Sequence, residues 1–285
     1  MIDRKRGVTI HCDLNLARRL ETVEAEGGGE YAAAHARLFP DGSATSIGIG
    51  SGRAIFAGVD SPVTQAFALG LNGEVAAAEL EELEGFFRSH GARANIEVCP
   101  LADTSLTQRL YERGYCPIEQ TNVLVRALPA GDAMFEHHSR EVKVREATHG
   151  EEQVWAEIVS RGFAETDEAL AMMLDLSRTA FHVTSNHCFI AEIDGAVVAG
   201  GSMALRNGIA ALSGASTLTE FRKRGAQTSL LWYRLQYAAE RGCDLATVTT
   251  LPGSTSQRNA ERNNFQVAYT RTKWMLDVTL NVSST

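Results

Sequence analysis

Three things are missing from this 285-residue chain, and each argues against a class of function. No apolar run approaches the roughly 20 residues of a membrane-spanning helix. The five cysteines (Cys12, Cys99, Cys116, Cys188, Cys243) form no CxxC pair and show no metal-ligand spacing. They read as reduced thiols packed as small hydrophobes, with no metal site and no disulfide framework. Positive charge is also short: the formal net charge is −8, so nucleic acid and anionic membranes are repelled at long range. Arg4, Lys5 and Arg6 stand at the N-terminus, but residues 7–13 are too mixed for the apolar core of a signal peptide. What is present, 44% hydrophobic and 22% charged residues, describes a globular cytoplasmic protein long enough for two ordinary domains.

Periodicity supplies the elements. Residues 1–30 read as a helix ending in Gly27-Gly28-Gly29, followed by a short helix over 31–38 that stops at Pro40. Strands are expected at 46–49, 54–59 and 64–71. Residues 75–90 form an amphipathic helix with Leu80, Leu83, Phe86 and Phe87 on one face and Glu79, Glu81, Glu82 and Glu84 solvated. A strand at 95–99, a helix at 105–113 and a strand at 122–128 close this half. The stretch 129–141 reads as a linker of Pro, Gly and polar residues, 131–141 separating the domains, and its His137-His138 pair has no matching ligand set.

The second half runs through a strand at 142–146, helices at 151–162 and 168–177, and strands at 187–193, 196–205 and 209–218. Asp194-Gly195 makes a hairpin turn between the first two of those three strands. A helix at 227–241, a strand at 245–250, a helix at 256–262 and a β segment at 265–278 complete it. Laying IEVCPLADTSLTQRLYERGY (96–115) over ATVTTLPGSTSQRNAERNNF (246–265) matches strand, loop, helix and aromatic exit without a gap. One α/β unit therefore looks duplicated, with domains at 1–130 and 142–285, each a mixed sheet covered by helices.

Chemistry concentrates between Ser213 and Gln236. A strand ends near Leu218, a turn carries Arg222-Lys223-Arg224-Gly225, and a long helix follows. A loop entering a helix leaves backbone N–H groups unpaired, and the helix dipole adds positive potential there. Such a terminus suits a pyrophosphate, and a glycine lets the backbone approach it closely. An ordinary basic surface turn would show the same spacing.

Arg222-x-x-Gly225-x-Gln227 resembles the acetyl-CoA-binding signature of the GNAT acetyltransferases, Gln/Arg-x-x-Gly-x-Gly/Ala, with Gln227 in place of the last small residue. A second block, Ser256-Gln-Arg258-Asn-Ala-Glu261-Arg262-Asn-Asn264-Phe265, is similar to the family's helix ending in Gly-Phe, with Asn264 for the glycine. Gly253 stands where the family often has Asn. The resemblance implies two tandem GNAT-like domains of mixed α/β class, covering 142–278 by motif and 46–128 by topology. It further implies acetyl-CoA as co-substrate. The amides of Lys223, Arg224, Gly225, Ala226, Gln227 and Thr228 would hold the pyrophosphate, beside Arg222, and Ala215-Ser216-Thr217 would pair with the pantetheine arm. In the first half the equivalent junction, residues 69–75, has no Arg and carries Glu74, so that lobe is expected to lack the cofactor loop.

The implied reaction is direct attack of an amine on the thioester, which needs a base, an oxyanion donor and an acid. The donor would be a backbone N–H of the 215–218 strand. The family's acid is often a Tyr on the last helix, where this chain has Ala260; Ser256 and Tyr269 are the substitutes, Ser256 otherwise serving as a helix N-cap and Tyr269 as a half-buried strand aromatic. Glu165, Asp167 or Glu168, or a chain of waters, would supply the base. His182 and His187 read as ordinary polar residues. The expected acceptor is a primary amine of a small molecule or peptide, and a homodimer is possible on pseudo-twofold grounds. Two other readings stand beside this one: a silent acyl-CoA-binding module serving as a sensor or assembly subunit, and a nucleotide binder using the same basic loop.

Overall fold

The computed structural model describes residues 9–128, 141–164 and 166–276. His137-His138, the linker apart from Glu141, and Glu165 therefore lie outside the described residues. The first run of elements is α1 (Leu14–Leu38), β1 (Thr45–Ile49), β2 (Gly52–Phe56), β3 (Gln65–Phe67), α2 (Ala77–Ser89), β4 (Asn95–Val98), α3 (Thr104–Glu112) and β5 (Tyr115–Ala127). The second is β6 (Val142–Glu146), α4 (Glu152–Arg161), α5 (Asp167–Phe181), β7 (Asn186–Ile193), β8 (Ala196–Arg206), β9 (Ile209–Thr217), α6 (Ala226–Glu240), β10 (Leu245–Thr250), α7 (Thr255–Arg262) and β11 (Gln266–Leu276). From β1 to β5 and from β7 to β11 the two runs repeat one order of elements.

The expected helix break at the triple glycine does not occur: α1 runs through it. The reason is packing. A Cβ on Gly28 would lie 2.7 Å from Ile55 Cδ1, and one on Gly29 would lie 3.0 Å from Arg53 Cδ. Glycine here lets the helix approach β2, and tertiary contact outweighs the roughly 1 kcal/mol helix penalty of each glycine. Asp13 caps the start, its Oδ1 accepting from the Leu16 amide at 2.9 Å. The expected strand at 64–71 is shorter in the structure, and the one at 122–128 begins earlier, at Tyr115.

By contacts the chain divides into two compact units, one of residues up to Val125 with those from Thr249 onward, the other Arg126–Val248. Packing thus departs from the covalent halves. In the first unit β1, β2 and β3 are antiparallel neighbours, and β3 meets β4 in parallel at Ala66 and Ile96. β11 lies antiparallel to β4 and to β5, with Thr272 opposite both Val98 and Gln120. A strand from the second run therefore completes the first unit's sheet, and its Trp274 packs on the core of Phe87, Ile96, Leu106 and Leu110.

In the second unit β6, β7, β8 and β9 are successively antiparallel, and β10 joins β9 in parallel. Successive residues of a strand face opposite sides. A Cβ on Gly200 would meet Val159 and Trp155 of α4, and one on Gly201 would meet Leu230 and Arg234 of α6. The two helices therefore cover opposite faces of β8. Trp155, Val159, Cys188 and Ile190 form the core under α4. All five cysteines are free thiols.

Candidate functional site

The site is built from β9 and the turn that leads into α6. The parallel ladder with β10 covers Ile209–Leu212 against Leu245–Val248 and then stops. Just beyond, the pairing with β8 slips. Ser202 faces Ser213 and Gly200 faces Ser216, so Gly201 is opposed by both Gly214 and Ala215. This is a β-bulge, eased by Gly214 at φ +58°. After it, Leu218 donates to Val198 O at 2.9 Å. Amides alternate along a strand, so those of Thr217 and Ala215 point away from β8, to the side on which the β10 ladder has ended.

A short 3-10 turn, Thr219–Phe221, follows β9. Lys223 and Gly225 both take left-handed conformations, at φ +65° and +87°, and Gly225 is the N-cap of α6. Ser229 N closes the first helical bond, to Gly225 O at 2.9 Å. The backbone amides of Lys223, Arg224, Gly225, Ala226, Gln227 and Thr228 have no acceptor among the described residues. Six successive free donors at a helix N-terminus form an anion cradle.

The cations around it are committed to different degrees. Arg222 Nε lies 3.5 Å from Thr217 O, whereas Arg224 leans over the Phe221 ring and lies 3.4 Å from Asp194 Oδ2. Lys223 is exposed and pairs with no described residue. Gln227 accepts from Thr217 Oγ1 at 3.3 Å, which ties its side chain to β9. Ser216 faces α4: its hydroxyl donates to Ile158 O at 2.9 Å, and Gly162 lies against it without room for a side chain.

The residues proposed for proton transfer are dispersed. Ser256 is exposed in the first turn of α7, and the N-cap is Ser254, whose Oγ accepts from Gln257 N at 3.1 Å. The expected capping role of Ser256 is corrected by two positions. Tyr269 is buried in β11, its hydroxyl donating to Glu21 Oε1 at 2.6 Å. Burial and the neighbouring Glu21 carboxylate push that phenol far above its ordinary value, so it is a weak proton donor. Both residues belong to the unit that does not carry the cradle. Asp167 and Glu168 are exposed in the first turn of α5, where the helix dipole alone accounts for acidic residues. His182 and His187 pair with Glu152 and Glu146. Among the described residues no group of three His, Cys, Asp or Glu could hold a metal ion, and no helix is long and apolar enough to cross a membrane.

One participant went unnoticed in the sequence. Arg234 is buried at 2% exposure on α6, its Nη1 donating to Ser202 O at 2.8 Å and lying 3.3 Å from Ser213 O. The signal was available: Ala226, Leu230, Arg234 and Ala238 share the i, i+4 stripe that faces the sheet.

A parallel pair whose ladder ends at Leu212, a bulged strand and a helix N-terminus with unpaired amides thus lie together in the second unit. Residues 152–265 match the acetyltransferase (GNAT) family, so that segment is a GNAT domain. No protein of curated function matches the chain. Among solved structures, a GCN5-related N-acetyltransferase from Kribbella flavida is similar at TM-score 0.62 and 20% identity, over 87% of this chain and 95% of that one. A GCN5-related N-acetyltransferase from Sphaerobacter thermophilus gives 0.54 and 12%, over 90% and 92%. A tandem GNAT protein from the clavulanic acid biosynthesis pathway gives 0.53 and 13%, over 94% and 97%. At these identities the likeness is one of fold.

Proposed function

We propose that the protein is an N-acetyltransferase that moves the acetyl group of acetyl-CoA to a primary amine of a small molecule or peptide. The observation that carries this reading is the run of six unpartnered amides from Lys223 to Thr228. They fit a diphosphate, and the uncommitted Lys223 with Arg222 and Arg224 adds cationic attraction in an acidic protein. Ala215, Ser216 and Thr217 offer the open strand edge that a pantetheine arm can pair with. Acetyl-CoA supplies the activated thioester. The amides of Ala215 and Thr217 are placed to accept the charge that develops on the carbonyl oxygen. The strand and loop contribute chiefly orientation, which can remove several kcal/mol from the barrier. Asp167 or Glu168, or solvent, takes the amine proton, and solvent assists the thiolate. The acidic body suits a cationic acceptor, and a cytoplasmic setting agrees with free thiols. We take residues 142–285 as the acetyltransferase domain and 1–130 as a GNAT-like lobe without the cofactor loop, joined through 131–141.

The burial of Tyr269 against Glu21 favours one second reading, an acyl-CoA-binding module without turnover. Calorimetry with acetyl-CoA, followed by thiol release with a pooled amine library, tests both. Micromolar binding with amine-dependent release supports the enzyme; binding without release supports the module. Absence of binding defeats both.

A further inference from the structure

Arg234 stands out on physical grounds. Its guanidinium is buried, and among the described residues no carboxylate lies within ion-pair distance of it. Burial lowers its pKa only to about 10, so it stays charged at neutral pH. An isolated buried cation is expensive, and an apolar side chain of the same volume would pack an α/β core at lower cost. What the arginine contributes is a bridge. Its Nη1 reaches Ser202 O at 2.8 Å and Ser213 O at 3.3 Å, and its Nε reaches Leu230 O at 3.3 Å. Ser202 and Ser213 are the last aligned pair before the β8–β9 register slips, and their hydroxyls also meet at 2.8 Å. The guanidinium lies against Gly201, the residue opposed by the bulge: a Cβ there would be 3.1 Å from Nη1 and 3.3 Å from Cζ.

We propose that Arg234 is a positioning residue that holds the β9 bulge and so aims the Ala215 and Thr217 amides at the thioester carbonyl. The chain of action is short. The side chain fixes the separation of the two strands where one residue must face two. The bulge then sets the direction of every amide up to Leu218, and Gly201 is glycine because the guanidinium occupies the space of a side chain. This inference rests on the acetyl-CoA reading above and adds a named device to it.

The test compares acetyl-CoA with CoA, which differ at the carbonyl that the amides would receive, so no acceptor need be known. By calorimetry the wild-type protein is expected to bind acetyl-CoA about 5- to 10-fold more tightly, the worth of one net hydrogen bond. In Arg234→Met that ratio falls to about one, while the affinity for CoA, set by the cradle, stays within about twofold. Arg234→Lys, which keeps charge and donors, recovers part of the preference, a pattern that simple loss of core packing would not give. Should Arg234→Met lose its cooperative thermal transition, Gly201→Ala carries the test, because its methyl crowds the guanidinium without removing it, and the same loss of preference is expected. A folded Arg234→Met or Gly201→Ala protein that keeps the wild-type ratio overturns the proposal, as does a wild-type ratio of one. Wild-type protein that binds neither ligand is a different failure, since it removes the acetyl-CoA reading itself.

Discussion

Gly225→Asp should abolish CoA binding while leaving the fold in place, and the expected size follows from the local geometry. Gly225 sits at φ +87° as the N-cap of α6. A non-glycine residue there costs about 1–2 kcal/mol in backbone strain, somewhat less for Asp, which tolerates the left-handed region. Against this, a carboxylate at a helix N-terminus is favoured by about 0.5–1 kcal/mol, so global stability should change little. Binding is another matter. A unit negative charge about 5 Å from a doubly charged diphosphate is repelled by about 2 kcal/mol in bulk water and about 7 kcal/mol at an effective dielectric of 20. The new carboxylate also competes for the Gln227 and Thr228 amides, which are the ligands the phosphates need. Even the lower figure weakens binding about 30-fold. Gly225→Ala, carrying strain without charge, is the control and should lose less than about fivefold. Calorimetry at moderate salt, with thermal unfolding in parallel, reads both quantities. If Gly225→Asp unfolds like the wild type and binds CoA within threefold of it, the cradle is not where the phosphates sit.

Other consequences are smaller but equally direct. Gly162→Ala would put a methyl inside contact distance of the Ser216 hydroxyl and 2.5 Å from its Cβ; forcing α4 off β9 should cost about 1–3 kcal/mol in urea unfolding. Ser254→Ala should cost about 1 kcal/mol through loss of the α7 cap, whereas Ser256→Ala, exposed and without a capping role, should stay within about 0.5 kcal/mol of wild type. The Arg145 guanidinium and the Thr148 amide hold the Glu151 carboxyl down at about 2. A lowered folded pKa contributes stability above the ordinary carboxylate range, and that stability is lost as pH falls from about 4.5 toward 2; Arg145→Met should therefore move the acid-unfolding midpoint upward, and an unmoved midpoint would refute the pairing.

The glycine turn entering α6, the loop proposed for the cofactor, was legible in the sequence because its features are local. A turn, a glycine and a helix start are neighbours in the chain, and the structure places Arg222 through Thr228 in that arrangement. The duplicated order of elements was legible for the same reason, since hydrophobic period and turn residues are short-range signals. The failures share the opposite cause. Gly27-Gly28-Gly29 looked like a helix end because the partner that needs those glycines, Ile55 and Arg53 on β2, lies far along the chain. The insertion of β11 beside β4 and β5 is a pairing at long range, invisible to a reading that follows covalent halves. Tyr269 reads as half-buried in the sequence because Glu21, whose carboxylate accepts its hydroxyl hydrogen bond in the interior, comes from the first helix. Arg234 was in plain view as a charge on an apolar stripe, but its purpose depends on a register slip between two strands.

The two copies of the unit show what separates an open cradle from a closed one. Each places a helix N-terminus after its third strand, α2 after β3 and α6 after β9. In α6 the amides ahead of the helix are unpaired. At α2 the chain answers its own donors: Ala76 N bonds to Glu79 Oε2 at 2.7 Å, and Val75 N bonds to Ser105 Oγ at 2.9 Å. Glu74, which in the sequence looked like the repelling charge, is paired with Arg109 at 3.1 Å and so repels less than its formal charge suggests. Glu79 is the carboxylate that closes this terminus, its Oε2 accepting from the Ala76 amide. A depression of about 270 Å³ lies there, lined by Gly50, Gly70, Gly73, Glu74 and Glu79, and its two carboxylates make it acidic. Fold and helix dipole are common to both lobes. Whether such a terminus can accept an anion depends on the side chain that reaches its amides first: at α2 that is Glu79, whereas at α6 no described side chain does so.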